Sequence, residues 1–124
     1  MTTAQEVYDA ALVLIDSPED LESTTADYYE KAPYLIDMLQ RDLALKEGID
    51  ITEKITALTD ELEISDDTAL RVMPYGLAAK FALHDKDPDL YNDYSMQYMA
   101  LQRTIPRDEE DVEDQYDSLD GMQL

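Results

Sequence analysis

His84 is the one histidine of the chain, and Asp85 and Asp87 stand beside it. An imidazole among carboxylates is the usual material of general acid–base catalysis. This one falls at the end of a helical pattern, where a protonated ring is stabilised by the negative end of the helix dipole, and that accounts for it without chemistry. The run Asp85-Lys86-Asp87-Pro88-Asp89 offers alternating oxygens as a calcium loop does. It lacks the central glycine, and Met96 stands where the closing glutamate belongs, so helix capping by Asp87 is the better reading. The serines (Ser17, Ser23, Ser65, Ser95 and Ser118) fall at caps, turns or helix surfaces, none within a glycine-flanked nucleophile elbow. Three glycines cannot build a phosphate-cradling loop, and a chain without cysteine has no thiol nucleophile, disulfide or cysteine–zinc site. No catalytic, metal-binding or cofactor-binding residue is expected, and the chain does not read as an enzyme.

Tyrosine is the residue type that stands out: nine Tyr against one Phe and no Trp. A phenol combines an apolar ring with a polar tip and suits half-buried positions and contact surfaces. Tyr91, Tyr94 and Tyr98 recur at steps of three and four, which places them on one helix face. Core or subunit-contact packing is the expected use of that face. Tyr75, next to Pro74, and Tyr116, near the C-terminal end, complete the candidate protein-contact residues.

Charge narrows the partners. Thirty acidic residues stand against nine basic ones, for a formal net charge of −21. Such a surface repels phosphate, so direct nucleic-acid affinity is not expected, nor base stacking on the tyrosines. Adsorption to anionic membranes is disfavoured for the same reason. Basic protein surfaces and other subunits remain. The opening residues Met1-Thr2-Thr3-Ala4-Gln5-Glu6 lack the basic start of a signal peptide, no apolar run approaches membrane-spanning length, and the expected location is the cytoplasm.

The elements that must position these residues are helical, and the predicted class is all-α, a bundle of about four to five helices. Thr3 and Glu6 fit a capping box opening a helix over about Ala4 to Asp16, with Val7, Ala11, Leu14 and Ile15 on its apolar stripe. Ser17-Pro18-Glu19-Asp20 reads as a stop or turn. A second helix, capped by Thr24 or Thr25, carries Tyr28, Ala32, Leu35, Ile36, Leu39 and Leu43, and closes at Gly48. Pro33 inside it predicts a kink or break near Tyr29 to Ala32. Residues 48–65 mix periods of two and of helical spacing, and a connecting excursion with a short helix is expected. A third helix runs from a cap among Ser65, Asp66 and Asp67 to His84, with Leu70, Met73, Leu77, Ala78, Phe81 and Ala82 on one face and a bend at Pro74. Gly76, Ala78 and Ala79 would let another backbone come close. Asp87 and Pro88 open a fourth helix that ends at Thr104-Ile105-Pro106. Residues 1–106 thus form a helical domain, and 107–124 an acidic tail, expected to be disordered.

The runs Asp27-Tyr28-Tyr29-Glu30-Lys31-Ala32-Pro33-Tyr34-Leu35-Ile36-Asp37-Met38-Leu39, Ala69 through Leu83, and Asp87-Pro88-Asp89-Leu90-Tyr91 with Tyr94 and Tyr98 follow one another in a recognisable order. Over about residues 25 to 104 this pattern resembles the helical head–tail connector (neck adaptor) proteins of tailed bacteriophages and prophages. The resemblance implies a ring-forming, non-enzymatic subunit between portal and tail, with self-association and portal and tail proteins as partners. It implies a location in the bacterial cytoplasm during assembly and then in the virion. It carries over no catalytic residues, and the long acidic tail departs from the family's pattern. A rival from another class is an acidic inhibitor that mimics DNA. A mimic needs carboxylates in rows on one exposed face, whereas a connector needs an apolar contact surface.

Overall fold

The computed structural model describes residues 1–15 and 22–106, the side chains of residues 22–26 excepted. Ser17 to Asp20, Tyr116 and the expected disorder of 107–124 lie outside the described residues. Among the described residues the fold has four α-helices, α1 (Ala4–Ile15), α2 (Glu22–Glu47), α3 (Met73–His84) and α4 (Pro88–Gln102), with a π-helical turn (Thr68–Val72) leading into α3. The class is all-α, as expected.

Local chemistry sets most of the boundaries. The Thr3 hydroxyl accepts from the Glu6 amide and the Glu6 carboxylate accepts from the Thr3 amide, each at 3.3 Å, so the capping box forms. Gly48 ends α2 with φ 77°, a left-handed conformation that a side chain would resist. The Ser65 hydroxyl accepts from the Thr68 amide at 3.2 Å, and the Asp87 carboxylate from the Leu90 amide at 3.2 Å, with Pro88 at the first turn of α4. Between α3 and α4 the Asp87 amide reaches back to the Ala82 carbonyl at 2.9 Å, and Lys86 takes the left-handed position, φ 59°, that glycine usually fills.

Some expectations need correction. Of the kink or break expected at Pro33, the break does not occur: α2 runs unbroken through it. The carbonyl that loses its partner belongs to Tyr29, an exposed residue, so water can take the missing donor's place. The helix is also already formed at Glu22, so Thr24 and Thr25 lie inside it and not ahead of it. Residues 48–65 contain no short helix. Their backbone amides are taken up by side chains instead, which gives the segment an alternative to helical hydrogen bonding. Pro74 does disturb its helix, as a π-turn: the Met73 amide bonds to the Thr68 carbonyl, five residues back. The extra residue shifts the helix phase, and Leu70, expected on the face of Met73 and Leu77, is exposed.

α3 lies at the centre, with α1, α2 and α4 packed on it. Met73, Gly76, Leu77, Ala78, Ala79, Phe81 and Ala82 are all buried, as a helix surrounded on several sides requires. Tyr28 stacks on Phe81 with ring centroids 4.1 Å apart, and Tyr8 meets Phe81 edge-on at 6.1 Å. Ile36, Leu39 and Leu43 of α2, and Ile55, Leu58, Leu62 and Ile64 of the 48–65 connection, close the core. The N-terminal residues brace that connection: the Leu62 amide donates to the Thr2 carbonyl and the Ala4 amide to the Asp60 carbonyl.

Candidate protein-contact surface

α4 lies antiparallel to α3 and contributes no fully buried residue. It is held by its tyrosines. Tyr98 covers Gly76, packs against the core and donates its hydroxyl to the Asp42 carboxylate at 3.0 Å. Burial and the neighbouring negative charge push its phenol ionisation far above the ordinary value. The Tyr94 hydroxyl donates to the Leu14 carbonyl at the end of α1. Tyr75 leans on Tyr94, ring centroids 6.4 Å apart. Tyr94 and Tyr98 therefore share the face read from spacing, and Tyr75, Tyr94 and Tyr98 meet partners within the chain.

Tyr91 is placed differently. It is half-buried at the α3–α4 corner, where it lines an apolar hollow of about 290 Å³ with Leu83, Lys86, Asp87 and Pro88. Leu83 is 54% exposed, and Leu90 on the next helix is also exposed. On the side of α4 turned away from α3, Met96 and Met99 are exposed as well. Sequence reading did not place Leu83, Met96 or Met99 among the candidate contact residues. The signal for each was an apolar residue off the core stripe of its own helix, which has no use inside the fold.

His84 is the last residue of α3, as expected of a histidine at a helix end. Its ring lies 3.3 Å from the Lys31 amine and 3.8 Å from the Asp27 carboxylate. Its neighbour Asp85 accepts from the Tyr28 hydroxyl, whose ionisation is pushed up by burial and then by that carboxylate. Among the described residues no three His, Asp or Glu side chains converge as a metal site would need.

Many carboxylates are committed to backbone. Asp37 accepts from the Ile55 amide at 2.9 Å, and Glu47 from the Ser65 amide and hydroxyl. Asp60 accepts from the Thr56 and Ala57 amides, and Glu63 from those of Thr52 and Glu53; these bonds hold both carboxyls below the usual range. Asp60 and Glu63, their carboxylates thereby occupied, line a polar cleft of about 560 Å³ together with Glu53 and Glu61. Gln40, fully buried on α2, accepts from the Glu63 amide at 2.6 Å, while its own amide nitrogen has no partner among the described residues. Asp37, Gln40 and Glu47 lie on one side of α2, so this side anchors the 48–65 connection. Their polar character within an apolar stripe was the sequence signal for that anchoring.

Among the described residues, no helix is long and apolar enough to cross a membrane. No family model, curated protein or solved structure matches the chain.

Proposed function

We propose that the chain is a non-enzymatic assembly protein, a subunit of the kind that joins portal to tail in tailed phages. It works by docking to other protein subunits in the bacterial cytoplasm and then as part of the virion. The observation that carries this reading is the α3–α4 corner: Tyr91, Leu83 and Pro88 frame an apolar hollow open to solvent on a chain of net charge −21. Exposed apolar residues gathered around a hollow, rimmed by Lys86 and Asp87, are the composition of a protein contact. The phage assignment itself rests on the resemblance over residues 25 to 104.

The rival reading as a DNA mimic needs carboxylates in free rows. Asp37, Glu47, Asp60 and Glu63 spend theirs on backbone amides, which favours the assembly reading. The test is co-sedimentation of the full chain with portal rings and tail proteins from the genome that encodes it. Tyr91→Asp or Leu83→Asp should weaken binding about thirtyfold, the effect of losing one contact hot spot, while helicity stays unchanged. Unchanged binding by both variants would remove the corner from the interface.

A further inference from the structure

The side of α4 turned away from α3 carries a regular seam. Asp89, Asn92, Met96, Met99 and Arg103 follow one another at steps of three, four, three and four, and all five are exposed. Such alternation keeps a line of side chains facing one way along a helix, as in the contact seam of a coiled coil. Tyr94, Tyr98 and Leu101, which hold α4 to the fold, lie on the opposite side. Met96 and Met99, in the middle of the seam, are 71% and 59% exposed. Ala100 is exposed beside them, and its small side chain lets a second backbone come close.

Charge is divided between the two ends of the seam. Asp89 opens it, Asp93 stands one turn further on, and Arg103 closes it roughly 21 Å away along the helix. None of the three forms an ion pair among the described residues. The charges beside them do not cancel this division. At the Arg103 end, Arg71 donates to the Thr104 hydroxyl but is paired with Asp67 at 2.9 Å. At the other end, Lys86 and Asp87 offset each other just ahead of the helix.

We propose that this face of α4 pairs with the same face of a second copy, the two helices antiparallel. Arg103 of each copy then lies beside Asp89 and Asp93 of the other, and Met96, Met99 and Ala100 meet in the middle. An occupant of this seam must present the inverse order of charge, and a second copy turned end for end presents it. The parallel arrangement would set Asp89 on Asp89 and Arg103 on Arg103. An antiparallel pair uses the same patch on both chains, so the assembly closes at two copies. The net charge of −21 opposes approach of the two chains. At physiological ionic strength, however, exposed charges are screened beyond about 8 Å, and pairs in contact are screened much less. The inference rests neither on the apolar hollow at the α3–α4 corner nor on the phage reading.

The test is the native mass of the full chain by sedimentation equilibrium at physiological salt. One helix pair buries less than about 1,200 Å², the range of weak and reversible complexes, so the protein is taken to about 0.5 mM. The mass should rise with concentration toward two copies and no further. Met96→Asp should hold it at one copy with helicity unchanged, while Met38→Asp, at an exposed methionine of α2, should leave the dimer intact. Charge exchange tests the direction of pairing. The double variant Asp89→Arg, Asp93→Arg and the variant Arg103→Asp should each be monomeric alone and form a dimer when mixed in equal amounts, a gain that misfolding cannot imitate. A monomeric parent, growth beyond two copies, a mixture that stays monomeric, or equal loss with Met38→Asp would overturn the proposal.

Discussion

Gly76 of α3 lies beneath the ring of Tyr98 of α4: a methyl group at Gly76 would stand 2.8 Å from Tyr98 Cε1 and 3.0 Å from Leu39 Cδ2. Three helices meet at this point, and the missing side chain is what lets them. Alanine at a helical position ordinarily stabilises by about 1 kcal/mol over glycine, but forcing a group into a packed contact costs about 1–3 kcal/mol. Because ring and leucine crowd the site together, the clash is expected to win. Gly76→Ala should lower the urea midpoint; a rise would mean that α4 rides loosely on α3.

Tyr98 itself gives the second prediction. Tyr98→Asp removes the ring that covers Gly76 and puts a second carboxylate beside Asp42, and should destabilise the fold by about 3–5 kcal/mol. Tyr98→Phe keeps the ring and loses only the hydrogen bond to Asp42, about 1 kcal/mol. The two should also separate in alkali. The phenols of Tyr28 and Tyr98 ionise above their ordinary value near 10 when folded. The unfolded chain therefore loses those protons first, so this stabilisation is whole below pH 10 and falls as pH rises beyond it. Tyr98→Phe should flatten part of that alkaline fall, measured by urea unfolding across the range.

The turn between α3 and α4 is held by Lys86 in a left-handed conformation, φ 59°. A side chain there costs about 1–2 kcal/mol, and glycine recovers most of it less its own greater chain entropy. Lys86→Gly should raise stability by roughly 0.5–1 kcal/mol in thermal unfolding. A loss would show that the lysine side chain contributes more to the corner than its backbone costs.

How much of this was legible in sequence differs from element to element. Thr3 with Glu6, Gly48, and Asp87 with Pro88 are local devices, and each works as its neighbours in sequence imply. The tyrosine spacing placed Tyr94 and Tyr98 on one face correctly, but spacing holds no information about what that face meets. Leu14, Asp42 and Gly76 lie far away in the chain. The 48–65 connection was hardest. Its form depends on Asp37, Gln40 and Glu47 reaching across from α2, and such long-range capping has no periodicity to read. Pro33 and Pro74 obey the same rule locally and differ in outcome because α2 absorbs one at an exposed turn while α3 yields a π-turn to the other.

That connection supplies the fourth prediction. Glu63 uses both carboxylate oxygens on the Thr52 and Glu53 amides, and these bonds hold its folded ionisation low. A depressed carboxyl contributes stability above the unfolded value near 4.5 and loses it as pH falls through the folded one. Glu63→Gln, which keeps only one accepting oxygen, should be less stable than the parent at neutral pH, and the difference should shrink below that value. A difference independent of pH would mean that shape, and not charge, is what Glu63 provides.

The central claim is that the chain works by docking to other subunits. Its most direct measurement is the native mass of the full chain by light scattering at physiological salt, alone and with the portal and tail proteins of its own genome. The expected result is a defined larger complex with those proteins, weakened by Tyr91→Asp. A strict monomer that ignores them and instead blocks a DNA-binding enzyme, in competition with duplex DNA, would contradict the account.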